Sequence, residues 1–431
     1  MALAAAIQWE VRTTGVDTNG GGFKAGASGT DYSQQDAAQY TFTTATTAAA
    51  DAIFLDAQAA AVMVGNVLNI TGGTNFITGR YEVVSVVAGV SMTLDRNCTT
   101  GAGTAGAGKL GGALLTVSQA VTSMVGSNTV WIKAGTYLQT AALTPPAGTS
   151  GAYSRVIGYN TTRGDLDWAT DFTNHPILQN NNTTNNVFTA SNDYTILRSL
   201  VAHGGTAASK SDNAFRMGST YGRIENCKAL NFTGQGFLAD GTGQTFTRCW
   251  ATANIAGAAR AFDHQGTGTM LIACVASGLT CPGFRAFGPS VFLSCVAANN
   301  TGGSSHGFEL TGVYCRVLQS VAYANGGDGI RISAGVGAEP GIFNTITVSN
   351  SGYGINSSGG VTFADGYVMD YNAFYNNTTA ARNLVPTGAH DVTLTGDPFT
   401  NGAGGDFTLN NTASAGAACR AAGFPGVLIG L

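Results

Sequence analysis

Charge is what this chain has least of. Only 10% of its 431 residues are Asp, Glu, Lys or Arg, against about 25% in an average globular protein, so solubility must come from amides and hydroxyls. Basic runs are absent too, and the formal net charge is −4. Nucleic acid is therefore excluded as a partner, because its binding rests on counterion release by clustered Lys and Arg. Long apolar runs are also missing. The opening "MALAAAIQWEVR" has no basic leader and too short an apolar stretch for a signal peptide or a membrane span. Synthesis and folding in a cytosol, with no membrane partner, is the expectation. The eight cysteines show neither a CxxC pair nor a Cys/His zinc spacing. No metal and no cofactor is expected, and a reducing compartment would keep the thiols free.

Glycine, by contrast, is plentiful at 61 residues, among tracts of Ala, Thr, Ser and Asn and evenly spread short apolar runs. Such a pattern calls for a search for repeats. The segments "IENCKALNF", "FTRCWATAN", "LIACVASGL", "FLSCVAANN" and "VLQSVAYAN" superpose on a column of Cys227, Cys249, Cys274, Cys295 and Ser320, spaced 22, 25, 21 and 25 residues apart. The register extends back to Ser199 and forward to Thr345 and Asn372. A second column follows, with Phe215, Phe237, Phe262, Phe284 and Phe308, then Ile330 and Ile355. Each unit reads as two short strands joined by a Gly/Asn-rich bend.

Within "LIACVAS" alternation puts Ile272, Cys274 and Ala276 on one face and Leu271, Ala273 and Val275 on the other. A strand-built period near 25 residues leaves no room for the helices of leucine-rich, ankyrin or helical repeats. The fold class expected is all-β: a right-handed parallel β-helix whose coils stack at about 4.8 Å, with Cys and Ser as small inward rungs. Asn299, Asn300, Asn325, Asn350 and Asn376 mark bends whose amides can satisfy turn backbone and one another.

The first coil of such a solenoid must be covered, since a bare edge templates aggregation. "LTVSQAVTSMVG" reads as a short capping helix, with Thr116 and Gln119 in capping-box spacing and Gly126 as its stop. The expected division is an extended N-terminal arm over 1–45, a small antiparallel β module over 46–115, the capping helix over 116–127, and the β-helix with its closing segment over 128–431. The arm has few core-forming residues and would need a partner surface to become ordered. From about 127 to 410 there is room for roughly eleven coils, a shaft of roughly 55 Å.

The first-coil segment "NTVWIKAGTY" (128–137) resembles pectate-lyase-like β-helices, and "NGGDGI" (325–330) resembles the bend of parallel β-helix repeat proteins. The Trp9 to Tyr40 arm, "GRYEVVSV", "VWIKAGTY" and the closing "GDFTLNNTASAGAACRAAGFPG" together resemble β-helix proteins encoded among the structural genes of tailed bacteriophages. That resemblance implies a homotrimeric protein of the virion surface, assembled in the host cytoplasm. It would decorate or cement the capsid or form a tail spike or fibre, fastened to other virion proteins through the arm and module. The resemblance transfers no catalytic residue. The alternative is a tailspike depolymerase, a glycoside hydrolase or polysaccharide lyase acting on host surface polysaccharide.

Five groups of residues are candidates for a site or an interface. Cys295, His306 and Glu309 lie within sixteen residues, but Cys295 belongs to the ladder and reads as a buried filler. The column after the Phe position runs Arg216, Leu238, Asp263, Arg285, Glu309, Arg331, Asn356, alternating in charge, and reads as an exposed ion-pair ladder. Asp263 and Glu309, two coils apart, are the candidate acid and base of an inverting glycosidase, although Arg285 between them would lower both carboxyl pKa values. Arg285 and Arg331, with Trp168 in the acidic loop Asp165 to Asp171, are glycan-binding candidates. His175, His203, His264 and His390 share no ladder position, and His264 reads as a surface partner of Asp263. Finally Trp250, Val275, Val296 and Val321 line one outward face, with Lys228 at its upstream end, and are the candidate trimer interface.

Overall fold

The computed structural model describes residues 3, 6–167, 171–180, 186–204, 213–255, 257–333, 339–358 and 367–422. Short strands stack into three long sheets of twelve, eleven and nine strands, called sheets I, II and III here. A coil of the solenoid contributes one strand to each, as in Thr269–Ile272, Val275–Ser277 and Phe284–Ala286. Successive coils pair in parallel, and the sole antiparallel pairing in the three sheets among the described residues joins Gly22–Lys24 to Ile7–Val11. The chain is thus an all-β parallel β-helix with coils of about 25 residues.

What the sequence reads as one strand per first run is two, because a single left-handed residue turns the corner between sheets I and II. Ser199, Asn226, Arg248, Ala273, Ser294, Gln319, Asn344 and Tyr371 hold it, at φ of 51 to 56°. The corner resets the alternation. Leu271 and Cys274 both point inward, while Ile272 and Val275 point outward, so the expected parity holds after the corner and is reversed before it. Ser199 is likewise a corner, and Leu200 is the rung.

The rung side chains answer a backbone need created by that corner. The thiols of Cys227, Cys249, Cys274 and Cys295 approach the carbonyls of Leu197, Ile224, Phe246 and Leu271 one coil back, at 3.4 to 3.7 Å. Ser320, Thr345 and Asn372 donate to Phe292, Val317 and Ile342 in the same way. A small donor at this position thus satisfies a buried carbonyl as well as filling space. At the next corner Asn300, Asn325, Asn350 and Asn377 form an amide ladder, each Nδ2 donating to the next Oδ1 at 2.9 Å. On sheet III the rings of Phe188, Phe215, Phe237, Phe262, Phe284 and Phe308 stack with centroids 4.7 to 5.7 Å apart.

The N-terminal region departs from the expected arm. Ile7, Trp9 and Val11 are fully buried, and their strand pairs in parallel with Thr129–Lys133, extending sheet I by one rung. Their alternation with Gln8 and Glu10 makes them a strand in search of an edge, and the first coil supplies it. Arg163 fastens this strand through Glu10 (2.7 Å) and Gln8 (2.9 Å) and ties Asp31 to it (3.3 Å), and the Tyr159 hydroxyl also donates to Glu10. The β module is a closed six-stranded barrel that starts at Tyr40–Thr47 and ends at Thr99–Leu110. A boundary at 45/46 therefore cuts its first strand. Thr116 accepts the Gln119 N–H at 3.2 Å, capping the helix Val117–Ser123, which buries Val117, Ala120 and Val121 beside Trp9.

Candidate functional site

The charged column lies on sheet III in the register read from the sequence: Arg216, Leu238, Asp263, Arg285, Glu309, Arg331 and Asn356 pair one after another. It is not an exposed ladder of neighbours, however. Asp263 is fully buried and held by Arg285 through two hydrogen bonds of 2.7 Å, with Gln265 adding a third at 3.0 Å. Burial pushes its carboxyl pKa up, but the bonds from Arg285 and Gln265 and the Arg285 charge outweigh that, leaving it below the ordinary value. Glu309 skips its neighbours and takes Arg260 at 3.0 Å. Asp263 therefore has no proton to give at neutral pH, and both carboxylates are engaged by guanidinium groups.

Arg285 also lies over the Phe287 ring at 4.2 Å. Arg331 has no carboxylate within ion-pair distance among the described residues and meets His306 Nε2 at 2.9 Å. His306 Nδ1 accepts the Asp328 N–H at 2.9 Å, and burial, partly offset by Asp328, lowers the imidazole pKa. Cys295 sits fully buried in the core, its thiol pKa driven well up by burial. It is remote in character from a nucleophile, which needs exposure and positive surroundings. His264 is a correction: it points inward between Phe246 and Phe292, its pKa pushed down to about 3 by burial, and makes no pair with Asp263.

Asp165, from the acidic loop, clamps a turn. Burial raises its pKa, but its oxygens accept the N–H groups of Asn160, Thr161 and Thr162 at 2.7 to 3.0 Å, and together these bonds leave the pKa lowered. Trp168 lies outside the described residues. Asp167, at 3.5 Å from Arg198, joins Glu225, Asn226, Thr247 and Arg248 around a pocket of about 210 Å³ on the outer edge of sheet I. Sequence reading missed this pocket, since its parts come from four coils and only the outward column Arg198, Glu225, Thr247 could have signalled it.

The proposed trimer stripe is also corrected. Val275, Val296 and Val321 do point outward, yet each is fully buried beneath the chain's own Leu394, Phe399, Phe407, Leu409 and Cys419. Phe172 packs on Trp250 at 5.7 Å and lies under Lys228. A Cβ on Gly402 would come within 2.6 Å of the Tyr323 ring, so close does the closing segment lie. An apolar stripe outside a solenoid calls for a cover, and here the same chain provides it.

These ladders define a β-solenoid, and its structural neighbours are pectate-lyase-like parallel β-helix proteins, one of them a phage protein. Pectate lyase Pel9A is 16% identical over 60% of this chain and 74% of its own, with a TM-score of 0.46. A rhamnogalacturonan lyase is 14% identical over 67% of this chain and 86% of its own, with a TM-score of 0.45. The ORF18 protein of Geobacillus virus E2 is 15% identical over 66% of this chain and 59% of its own, with a TM-score of 0.49. No family model and no curated protein matches the chain.

Proposed function

We propose that the chain is a non-enzymatic structural projection of a tailed-bacteriophage virion, with the barrel and N-terminal strand as its attachment end and the β-helix as its shaft. The observation that carries the non-enzymatic part is the state of the carboxylates. Asp263 is buried, ionised and bidentate with Arg285, and Glu309 is paired with Arg260. General acid catalysis needs a carboxyl that holds a proton to give; Asp263, with its pKa lowered, holds none, and Glu309 is engaged by the Arg260 guanidinium. The virion part rests on the resemblance of the N-terminal, first-coil and closing segments to phage structural proteins. A homotrimer would have to form through a face other than the sheet II stripe, which the closing segment occupies.

Immunogold labelling of intact virions tests the reading: label on head or tail is expected, and unlabelled particles would remove it. Incubation of purified protein with host capsular polysaccharide tests the enzymatic alternative. Chain shortening that Asp263→Asn or Glu309→Gln abolishes would replace the structural role with a depolymerase.

A further inference from the structure

The three outer faces of the shaft differ in kind. Sheet II is covered by the chain itself from the coil of Trp250 onward, and the sheet III column closes its carboxylates on arginines. Sheet I, over its coils from Ser154 to Thr247, presents arginine outward. Arg155 and Arg223 stand in one column, in register through Ile196, with backbones about 9.6 Å apart at two coil spacings. Neither has a carboxylate within ion-pairing distance among the described residues, and Arg223 lies over the Tyr153 ring at 5.0 Å.

Beside that column, where sheet III passes the chain to sheet I, Tyr153, Tyr194 and Tyr221 form a ladder with ring centroids 5.6 Å apart. Tyr194 and Tyr221 are left-handed, at φ 55 and 56°, where the next two coils place Gly243 and Gly268 at the same corner. That backbone costs a tyrosine about 1 kcal/mol or more. The rings stack on one another, a contact that the glycines of the next two coils cannot make. Tyr221 is 49% exposed. None of the three hydroxyls has a hydrogen-bond partner among the described residues, while the nearby Asp193 carboxylate is taken by the Thr220 N–H at 2.8 Å.

We infer that this face of sheet I binds an anionic, carboxylated polysaccharide laid along the shaft axis. Guanidinium groups take carboxylates in planar, paired hydrogen bonds, and two of them spaced along the axis suit a polymer with repeating charge. Tyrosine hydroxyls donate to and accept from sugar hydroxyls. Single-stranded nucleic acid, the other linear polyanion, needs open ring faces for its bases. Here Tyr194 and Tyr221 stack on each other at 26°, and the far side of Tyr221 lies against Gly243, where a Cβ would meet the ring at 2.9 Å. The inference goes beyond the structural role and stands on this face alone, wherever the chain is mounted.

Affinity electrophoresis of the full chain through gels containing polygalacturonate, alginate or neutral dextran tests it. Retardation by an acidic glycan is expected, none by dextran, and an affinity about tenfold or more weaker in the Arg155→Gln/Arg223→Gln pair. Tyr221→Gly, which removes the ring and relieves the left-handed backbone, should weaken binding without lowering the melting temperature. Arg216→Gln, which alters an arginine on sheet III, should bind as the parent does. Equal retardation by dextran, full binding by the double variant, no retardation by either acidic glycan, or tighter binding of single-stranded DNA would each overturn the inference. None of these outcomes depends on virion labelling, so the two proposals fail separately.

Discussion

Asp263 and His264 are neighbours in sequence, both buried but on opposite faces of sheet III, and acid should act on each differently. Asp263 has a folded pKa below its unfolded value of about 3.9. Its stabilisation is present above about pH 4 and is lost as pH falls through the folded value. His264 is neutral inside the core with a folded pKa of about 3, against about 6.5 unfolded. It favours unfolding progressively as pH falls from about 6.5 towards 3, because only the unfolded chain takes up that proton. Melting temperature measured from pH 7 to 4 should therefore fall, and His264→Phe should flatten the curve in that window while leaving the drop below about pH 4. Asp263→Asn should cost about 3–5 kcal/mol at neutral pH, since it leaves Arg285 facing a neutral amide in a buried site. Chemical denaturation would measure that loss directly.

At the level of elements, the corners decide what a coil tolerates. Ser320→Cys should change stability by no more than about 0.5 kcal/mol, because cysteine fills the same rung in the four coils before it. Ser320→Val should cost about 1–3 kcal/mol by leaving the Phe292 carbonyl without its donor. Asn325→Ala should cost about 2–3 kcal/mol, as it interrupts the amide ladder and frees the Ala297 carbonyl. Urea midpoints at constant slope would rank the three. The ladder columns were legible in the sequence because stacking repeats them, and the charged column pairs as read at all of its positions. The corners were not legible, because their left-handed residue is serine, asparagine, arginine, alanine, glutamine or tyrosine, with no glycine to signal it. The ion pairs were hidden for another reason. Arg260 reaches past Arg285's coil to Glu309, a choice made by side-chain reach that a column of letters does not contain.

For the whole molecule, the closing segment changes what surface mutations mean. Were the stripe through Val296 a subunit interface, Val296→Asp would release soluble, folded protomers. Because Val296 is sealed under Phe407 and Leu409 of its own chain, the variant should instead lose several kcal/mol and aggregate. Light scattering together with circular dichroism separates the two outcomes. The cover escaped sequence reading because it comes from residues 392–422, far along the chain from the coils it protects. The N-terminal strand escaped for the complementary reason: its edge partner, Thr129–Lys133, lies beyond the entire barrel.

That arrangement also sets a timetable. A ribosome making about 5–20 residues per second needs roughly 4–14 s to extend the chain from Val321 to Val392. Throughout that interval the coils through Val321 can stack while their valine stripe has no cover. The nascent shaft is then stickiest shortly before it is finished, and crowded translation of many copies would select for slow coil formation or for a chaperone that recognises aliphatic strand faces.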